Sequence, residues 1–326
     1  MGQKSDHFNG RKFQNINPRQ HGFPDLLRWL LSRQRGEWPK WRDSEPGPRP
    51  PRKVPAPAES EDSLRITFVN HTTFLIQMQG VNLLTDPVWC ERASPVQWAG
   101  PGRVRAPGIR FEDLPPIHYV LLSHDHYDHM DIATLKRLHT AHDPMYFTGL
   151  GNDKRLYKLG IERVQAMDWW DETVLPCGLK MTCVPAQHFS GRTPFDRDTT
   201  LWCGFVLARS ESEASGAVYF AADTGFGSHF EMVAKKFPNL RLSILPIGAF
   251  RPEWFMGEVH CSPRESVRAH RLLGTRKSVG SHFGTFPLAD DGELEPLEGL
   301  AEALEEEGLT SEDFRVLDFG EGWSVP

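Results

Sequence analysis

Long apolar runs, paired cysteines and an export signal are missing from this sequence. No window approaches the ~18 uninterrupted apolar residues that a membrane-spanning helix needs. The five cysteines are scattered without C-x-x-C spacing, which argues against a disulfide framework or a thiolate zinc site and favours a reducing compartment. The N-terminus has neither an apolar export segment nor a myristoylation signal. We therefore expect a globular cytoplasmic protein without a lipid anchor.

Charge is distributed unevenly along the chain. The 326 residues carry a net charge of −6, but residues 1–53 hold 12 Lys and Arg against 5 Asp and Glu, a net +7 that leaves −13 for the remainder. An acidic body disfavours nucleic acid as a partner. The basic segment predicts either a peripheral membrane contact with anionic lipid or an arm that is solvated or packed on the protein.

Composition divides the chain into three parts. Residues 1–40 form a basic and aromatic arm, residues 41–62 a Pro/Arg-rich connector, and residues 63–326 the main domain. Within the arm, apolar residues at i, i+3, i+4, i+7 and i+8 predict a short helix near Pro24, whose apolar stripe must pack on something, either a membrane surface or the body of the protein. The stripe consists of Phe23, Leu26, Leu27, Leu30 and Leu31.

Short β runs dominate from Leu64 onward and later alternate with helices. Eleven strands are predicted, at 65–69, 72–78, 81–85, 118–122, 144–148, 179–185, 201–208, 217–221, 241–246, 277–281 and 314–318. Helices are predicted near 131–139, 151–158, 227–236, 262–273 and 296–307, the fourth opened by a capping box at Ser262. This order indicates an α+β fold in which helices cover two sheets, a four-layer αββα sandwich.

Residues that commonly bind metal are concentrated in the segment 123–129. His124 and His126 follow a predicted strand at alternate positions, so their side chains point to the same side. Asp128 and His129 lie closer to the next helix and can address a second point nearby. Four such residues within six positions indicate a metal site, and strand ends elsewhere are expected to complete it. The candidates that follow other predicted strands are His188, Asp223 and His282.

The motif H-x-H-x-D-H of the metallo-β-lactamase superfamily is matched by residues 124–129, and the sequence resembles that superfamily. The later ligand positions are similar too, in the same chain order. The resemblance implies one metal held by His124, His126 and His188. It implies a second metal held by Asp128, His129 and His282, with Asp223 bridging the two.

A narrower resemblance is to the N-acylphosphatidylethanolamine-hydrolysing phospholipase D branch. It is carried by residues 13–15, 27–30, 84–88, 92–95, 185–188, 246–250 and 282–286, so it includes the arm. The resemblance implies a phosphodiesterase that releases phosphatidic acid from a glycerophospholipid. It also leads us to expect a phospholipid or other small phosphodiester as the substrate.

Two divalent cations about 3.5–4 Å apart lower the pKa of a bridging water to about 7 and so supply hydroxide for attack on a phosphodiester. Zinc is the expected metal, and iron or manganese also suits His and Asp ligands. Asp128, Asp223 and His260 are the candidates for catalysis. His71 and Asp86 are candidates for contacting substrate or orienting a ligand imidazole, although each also fits a plain loop residue.

Two other classes of function stay open at this point. A lactonase or other small-ester hydrolase would use the same scaffold, and a non-catalytic metal-stabilised binding module would use the same ligands. An apolar tunnel to the metals would favour the phospholipase. Its candidate lining residues are Phe250, Trp254, Phe255 and Met256, which also fit a core role. A homodimer is compatible with the sequence.

Overall fold

The computed structural model of the protein describes residues 5–18, 20–42, 63–209 and 216–326. Most of the predicted connector, residues 43–62, lies outside the described residues. The strands are β1 (Leu64–Asn70), β2 (Thr73–Met78), β3 (Val81–Thr85), β4 (Tyr119–Leu122), β5 (Met145–Gly149), β6 (Val164–Met167), β7 (Glu172–Val174), β8 (Leu179–Val184), β9 (Gly204–Arg209), β10 (Ala217–Phe220), β11 (Leu240–Pro246), β12 (Lys277–Ser281), β13 (Phe314–Arg315) and β14 (Gly322–Ser324). The helices are α1 (Phe23–Leu31), α2 (Ile132–His142), α3 (Asp153–Tyr157), α4 (His229–Lys236), α5 (Glu253–Met256), α6 (Pro263–Leu273) and α7 (Glu295–Glu306).

Two seven-stranded sheets form the centre of the protein. The first has the order β14-β1-β2-β3-β4-β5-β6 and the second the order β13-β12-β11-β10-β9-β8-β7. In the first sheet, β14, β1, β2 and β3 pair antiparallel, whereas β3, β4, β5 and β6 pair parallel. The second sheet has the same division, with β7 to β10 antiparallel and β10 to β13 parallel. Apart from β14, which joins the first sheet from the other end of the sequence, each half of the chain therefore builds one sheet of similar design.

Alternation of apolar side chains along the strands buries both faces of the first sheet. Ile66 and Phe68 on β1 belong to the large core between the sheets, whereas Val69 belongs to the core on the outer face. On β4, Leu121 faces inward while Val120 and Leu122 face the opposite way, as the two-residue period of a strand requires. Because both faces are apolar, each sheet needs a second layer to cover it.

Helices provide that outer cover. Leu135 and Leu138 of α2 pack into the cluster on the outer face of the first sheet. On the second sheet, α6 contacts β11 and lies against α4 and α7. Ser262 opens α6 with the predicted capping box, in which its hydroxyl accepts from the Glu265 backbone N–H. These layers confirm the α+β αββα sandwich.

The N-terminal arm packs on the body through one side of α1, where Leu26 and Trp29 join a small cluster with Met256. Trp29 is only 8% exposed, stacks on Phe255 and donates its indole N–H to Asp290. Leu31, by contrast, is 89% exposed, and Leu27 and Leu30 are also exposed. The stripe is therefore divided: Leu26 packs on the body beside Trp29, whereas Leu27, Leu30 and Leu31 are exposed.

The structure contains strands that the sequence pattern did not predict. These are β6, β7 and β14. β7 spans three residues at the edge of its sheet and is largely exposed, so it shows no alternation of apolar and polar residues.

Among the described residues, each helix is too short or too polar to cross a membrane.

Candidate metal centre

The ends of strands from both sheets converge on one site. The loop at 123–129 follows β4, and Asp86 follows its parallel neighbour β3. Asp223 follows β10 and His282 follows β12, which lie in the parallel half of the second sheet. The carboxyl ends of parallel strands meet at one edge, so loops distant in sequence come together there.

A first group of side chains brings together three imidazoles. Nε2 of His124 lies 2.9 Å from Nδ1 of His126, and Nε2 of His188 lies 3.3 Å from that same Nδ1. One nitrogen from each ring falls within 4.8 Å of the others, a spacing that suits a single metal ion. The structure thus brings together the three residues that the resemblance assigns to one metal.

A second group lies beside the first and contains Asp128, His129 and His282. Oδ2 of Asp128 is 3.3 Å from Nε2 of His129 and 3.6 Å from Nε2 of His282. His71, predicted only to contact substrate or to orient a ligand imidazole, joins this group, with its Nε2 3.0 Å from Oδ2 of Asp128. These are again the residues assigned to one metal, with one additional histidine.

Asp223 lies between the two groups. Its Oδ2 is 3.1 Å from Nε2 of both His129 and His282, and 3.7 Å from Nε2 of His188. Burial alone would raise the pKa of Asp223, but the adjacent His129 and His282 hold it well below its usual range. A carboxylate in this place contacts both groups, as a bridging ligand would.

Unpaired atoms test whether these residues fit a metal. Nε2 of His129 and Nε2 of His282 are buried and make no hydrogen bond, even though Asp223 lies 3.1 Å from each. Oδ1 of Asp223 is likewise without a hydrogen-bond partner. Buried polar atoms left unpaired are costly, and atoms aimed at a common point are the arrangement that a cation requires. The donor set therefore fits metal binding.

The electrostatics of the cluster agree with this fit. Burial holds the pKa of His124 and His188 well below the usual value, which keeps both imidazoles neutral as metal ligands must be. Burial also opposes charge on His129, but Asp223 and Asp128 raise its pKa well above the usual value. Two buried carboxylates thus favour positive charge at this point, which a bound cation would supply.

Asp86 and Ser123 support the imidazoles from behind. Oδ2 of Asp86 lies 2.8 Å from Nδ1 of His129 and accepts the Ser123 hydroxyl at 2.6 Å, while that hydroxyl oxygen lies 2.8 Å from Nδ1 of His124. One carboxylate therefore contacts an imidazole of each group, directly or through a single hydroxyl. Such outer contacts set ring orientation and tautomer. The sequence pattern assigns no role to Ser123, although this residue directly precedes the motif.

Backbone strain is concentrated in the same place. His71, Asp86, Ala222 and His282 all adopt positive φ, at 48°, 33°, 55° and 61°. Such conformations cost about 1–3 kcal/mol each for residues other than glycine and persist only where surrounding contacts enforce them. At one neighbouring point, the chain relies on glycine: a Cβ on Gly248 would lie 2.1 Å from the carbonyl oxygen of His282.

A cavity of about 710 Å³ adjoins the cluster and includes His260 in its lining. Nδ1 of His260 lies 3.9 Å from Oδ2 of Asp223, and burial lowers the pKa of His260 to about 3, so the ring is neutral. Most of the lining surface is apolar. Of the predicted tunnel residues, Phe255 and Met256 line the cavity, whereas Phe250 and Trp254 do not.

Comparison with known proteins places this site in a family context. Residues 81–283 match the Beta-lactamase superfamily domain. The chain is 36% identical over 278 residues to N-acyl-phosphatidylethanolamine-hydrolyzing phospholipase D 1 of Caenorhabditis elegans, an alignment that covers 82% of this chain and 77% of that protein. It is 29% identical to the mitochondrial N-acyl-phosphatidylethanolamine-hydrolyzing phospholipase D of Saccharomyces cerevisiae, over 71% of this chain and 49% of that one.

Solved structures of other proteins share this fold. A metallo hydrolase from the archaeon Ignicoccus hospitalis superposes with a TM-score of 0.62 at 22% identity, covering 81% of this chain and 99% of that chain. At this level of identity the likeness concerns the fold alone.

Proposed function

The chain belongs to the β-lactamase superfamily of metal-dependent hydrolases, in the branch that includes N-acyl-phosphatidylethanolamine-hydrolysing phospholipase D, and from this membership we propose its function. It is a phosphodiesterase of phospholipase D type that cleaves N-acylphosphatidylethanolamine-like glycerophospholipids. The observation that supports this substrate class best is the cavity of about 710 Å³ beside the clustered histidines, because its apolar walls suit acyl chains and a lactone needs no such volume.

The proposed ligand roles follow the two groups of side chains. His124, His126 and His188 would hold one ion and Asp128, His129 and His282 the other, while Asp223 lies against both groups of side chains. Divalent ions at these positions, zinc in our proposal, would lower the pKa of water and neutralise charge on the attacked phosphodiester. Asp86 and Ser123 keep the imidazoles in the orientation that this chemistry needs.

His260 and the cavity position the substrate. The neutral imidazole of His260 borders the cavity 3.9 Å from Asp223, where it donates a hydrogen bond to a phosphoryl oxygen. Phe255, Met256 and Leu26 surround the acyl chains and exclude water from the reacting phosphate. Excluding water strengthens each of these electrostatic contacts.

Three segments that line the cavity also present apolar side chains to solvent. Leu26 lines the cavity while Leu31 on the same helix is exposed, and Phe255 lines it while its neighbour Trp254 is 38% exposed. Beside the lining residue Pro194, Phe195 is 93% exposed. Exposed apolar residues around a cavity mouth suit a lipid surface. We assign them to peripheral contact with the membrane from which the substrate enters.

The test is turnover of defined lipids by purified, metal-loaded protein, followed by mass spectrometry. N-acylphosphatidylethanolamine vesicles should yield phosphatidic acid and N-acylethanolamine, while a panel of lactones should be left intact. Asp223→Asn keeps the shape of the side chain but removes its charge, so turnover should fall more than tenfold with near-UV circular dichroism unchanged. Hydrolysis of lactones with no consumption of phospholipid would replace this proposal by the small-ester hydrolase.

A further inference from the structure

The backbone of His188 lies beyond the end of its sheet. β8 stops at Val184, where the last pair with β9 joins Val184 to Gly204. His188 is fully buried, and buried backbone N–H and C=O groups are costly unless they are paired. Its peptide groups must therefore find partners outside the strand ladder.

The side chain of Asn15, in the N-terminal arm, supplies both partners. Its Nδ2 donates to the carbonyl oxygen of His188 at 2.7 Å, and the His188 backbone N–H donates to its Oδ1 at 3.1 Å. A carboxamide carries one carbonyl and an N–H donor in the same plane, so it can pair with a peptide as a neighbouring strand would. The indole N–H of Trp202 also donates to Oδ1 at 2.9 Å, which fixes the orientation of the amide.

Neighbouring contacts hold the arm against the same loop. The side-chain amide of Gln187 donates to the carbonyl oxygen of Asn17 at 2.6 Å. The backbone N–H of Phe13 donates to the carbonyl oxygen of Asp198 at 2.8 Å. Phe13 itself is buried in the main core. Asn15 is thus held from both sides rather than reaching across from a free segment.

The ring of His188 is held separately, by the body. Its Nδ1 lies 2.8 Å from the carbonyl oxygen of Val259. The body therefore controls the rotation of the imidazole, and the arm controls where its backbone sits.

We propose that Asn15 is a positioning residue for the metal centre: it fixes the peptide of His188 and so makes the arm part of the site. This inference rests on the ligand role proposed for His188. Without the amide, the His188 peptide would lose both of its partners, and Nε2 of the ring would no longer be held against His124 and His126. Contacts behind metal ligands commonly change metal affinity by about 10- to 100-fold when they are removed.

The experiment compares Asn15→Ala and Asn15→Asp with Asn9→Ala. Asn9 is a matched control on the same arm, because its Oδ1 accepts only from the nearby backbone of Arg11 and Lys12 in the described structure. Asn15→Asp keeps the size and the acceptor but removes the donor to His188. Metal content is measured by elemental analysis after dialysis against increasing chelator, and melting temperatures are recorded with and without metal.

Both Asn15 variants should lose metal at a chelator concentration about tenfold or more below that of wild type and of Asn9→Ala. The rise in melting temperature caused by metal should shrink in the Asn15 variants. A purely structural role would instead lower the melting temperatures of the metal-free and metal-loaded forms equally and leave metal retention unchanged, and that result would overturn the inference.

A third variant keeps the inference testable if the two Asn15 variants do not fold. Trp202→Phe retains a large apolar side chain and removes the indole N–H, which donates to Oδ1 of Asn15 and also to the carbonyl oxygen of Ala186 at 3.0 Å. We expect the same change in metal retention as in the Asn15 variants, at smaller size. None of these measurements uses a substrate, so the inference survives an error in substrate class. Absence of metal from wild type would refute the ligand assignment itself, whereas normal retention in all Asn15 and Trp202 variants refutes only the role of Asn15.

Discussion

The buried histidines of this protein differ in what surrounds them. Those of the candidate metal centre face carboxylates and one another, whereas His229, at the start of α4, is fully buried and lies 3.0 Å from the hydroxyl oxygen of Thr224. Burial lowers the pKa of His229 to about 3. The residue is therefore neutral in the folded protein across the physiological range.

This neutral state predicts a loss of stability in acid. Between pH 6.5 and about 3 the unfolded chain binds a proton at His229 that the folded protein does not, so the free energy of unfolding falls as the pH falls. From pH 7.5 to pH 5 the loss from this one residue should be about 2 kcal/mol. Urea denaturation of metal-free wild type and His229→Gln at both pH values measures it as the difference between their pH dependences.

Metal-free protein is used for both because the remaining histidines then contribute equally. Parallel pH dependences for the two proteins would show that His229 does not carry this effect.

At the scale of elements, α1 divides its surface between two environments. Trp29 faces the body, while Leu30 and Leu31 are 50% and 89% exposed. Deleting the arm would therefore confuse lost packing with loss of the proposed membrane contact. Substitution of the outer leucines alone separates the two.

We expect Leu30→Ser with Leu31→Ser to weaken binding to anionic vesicles more than tenfold, because a leucine contributes about 1.5–3 kcal/mol when it is fully buried. Sedimentation with vesicles measures the binding. The melting temperature and the turnover of a soluble short-chain phosphodiester should be unchanged. Val174→Ser, at an exposed position on β7, is the matched control. Equal vesicle binding by all three proteins would remove α1 from the membrane contact.

The strength of the local sequence pattern, such as apolar alternation or a helix cap, determined which elements could be predicted. β1 to β5 and α6 have clear apolar alternation or a cap and were predicted within a few residues. The candidate ligands could be proposed from the sequence because each follows a strand. The contact of Asn15 with His188 joins residues 173 positions apart through one side-chain amide, and no local pattern reports such a pairing. The burial of Trp29 against the body could not be predicted from the sequence for the same reason.

At the scale of the whole molecule, the candidate metal centre takes its residues from both sheets. His124, His126, Asp128 and His129 follow β4 of the first sheet, whereas His188, Asp223 and His282 follow strands of the second. Bound ions would therefore stabilise the contact between the two halves as well as their own loops. Ligands that bind only the folded state raise its stability according to their concentration and affinity.

Purified protein should accordingly carry close to two transition-metal ions per chain. At a free-metal concentration about 1,000 times the dissociation constant, each ion adds about 4 kcal/mol, so chelation should lower the melting temperature by several degrees. Elemental analysis and thermal unfolding before and after chelation make the measurement. Folded protein with no metal, never exposed to chelator, would contradict the ligand assignment.

The pairing of β14 with β1 has a consequence for synthesis. β1 takes β2 as one neighbour and β14 as the other, with Arg65 opposite Ser324. During translation, the first sheet is thus left with an open edge until residues 322–324 have emerged from the ribosome. An open edge invites pairing with other chains. Chaperone demand and aggregation in cells should therefore be sensitive to the rate at which residues 283–324 are translated, after the last candidate ligand, His282, has been made.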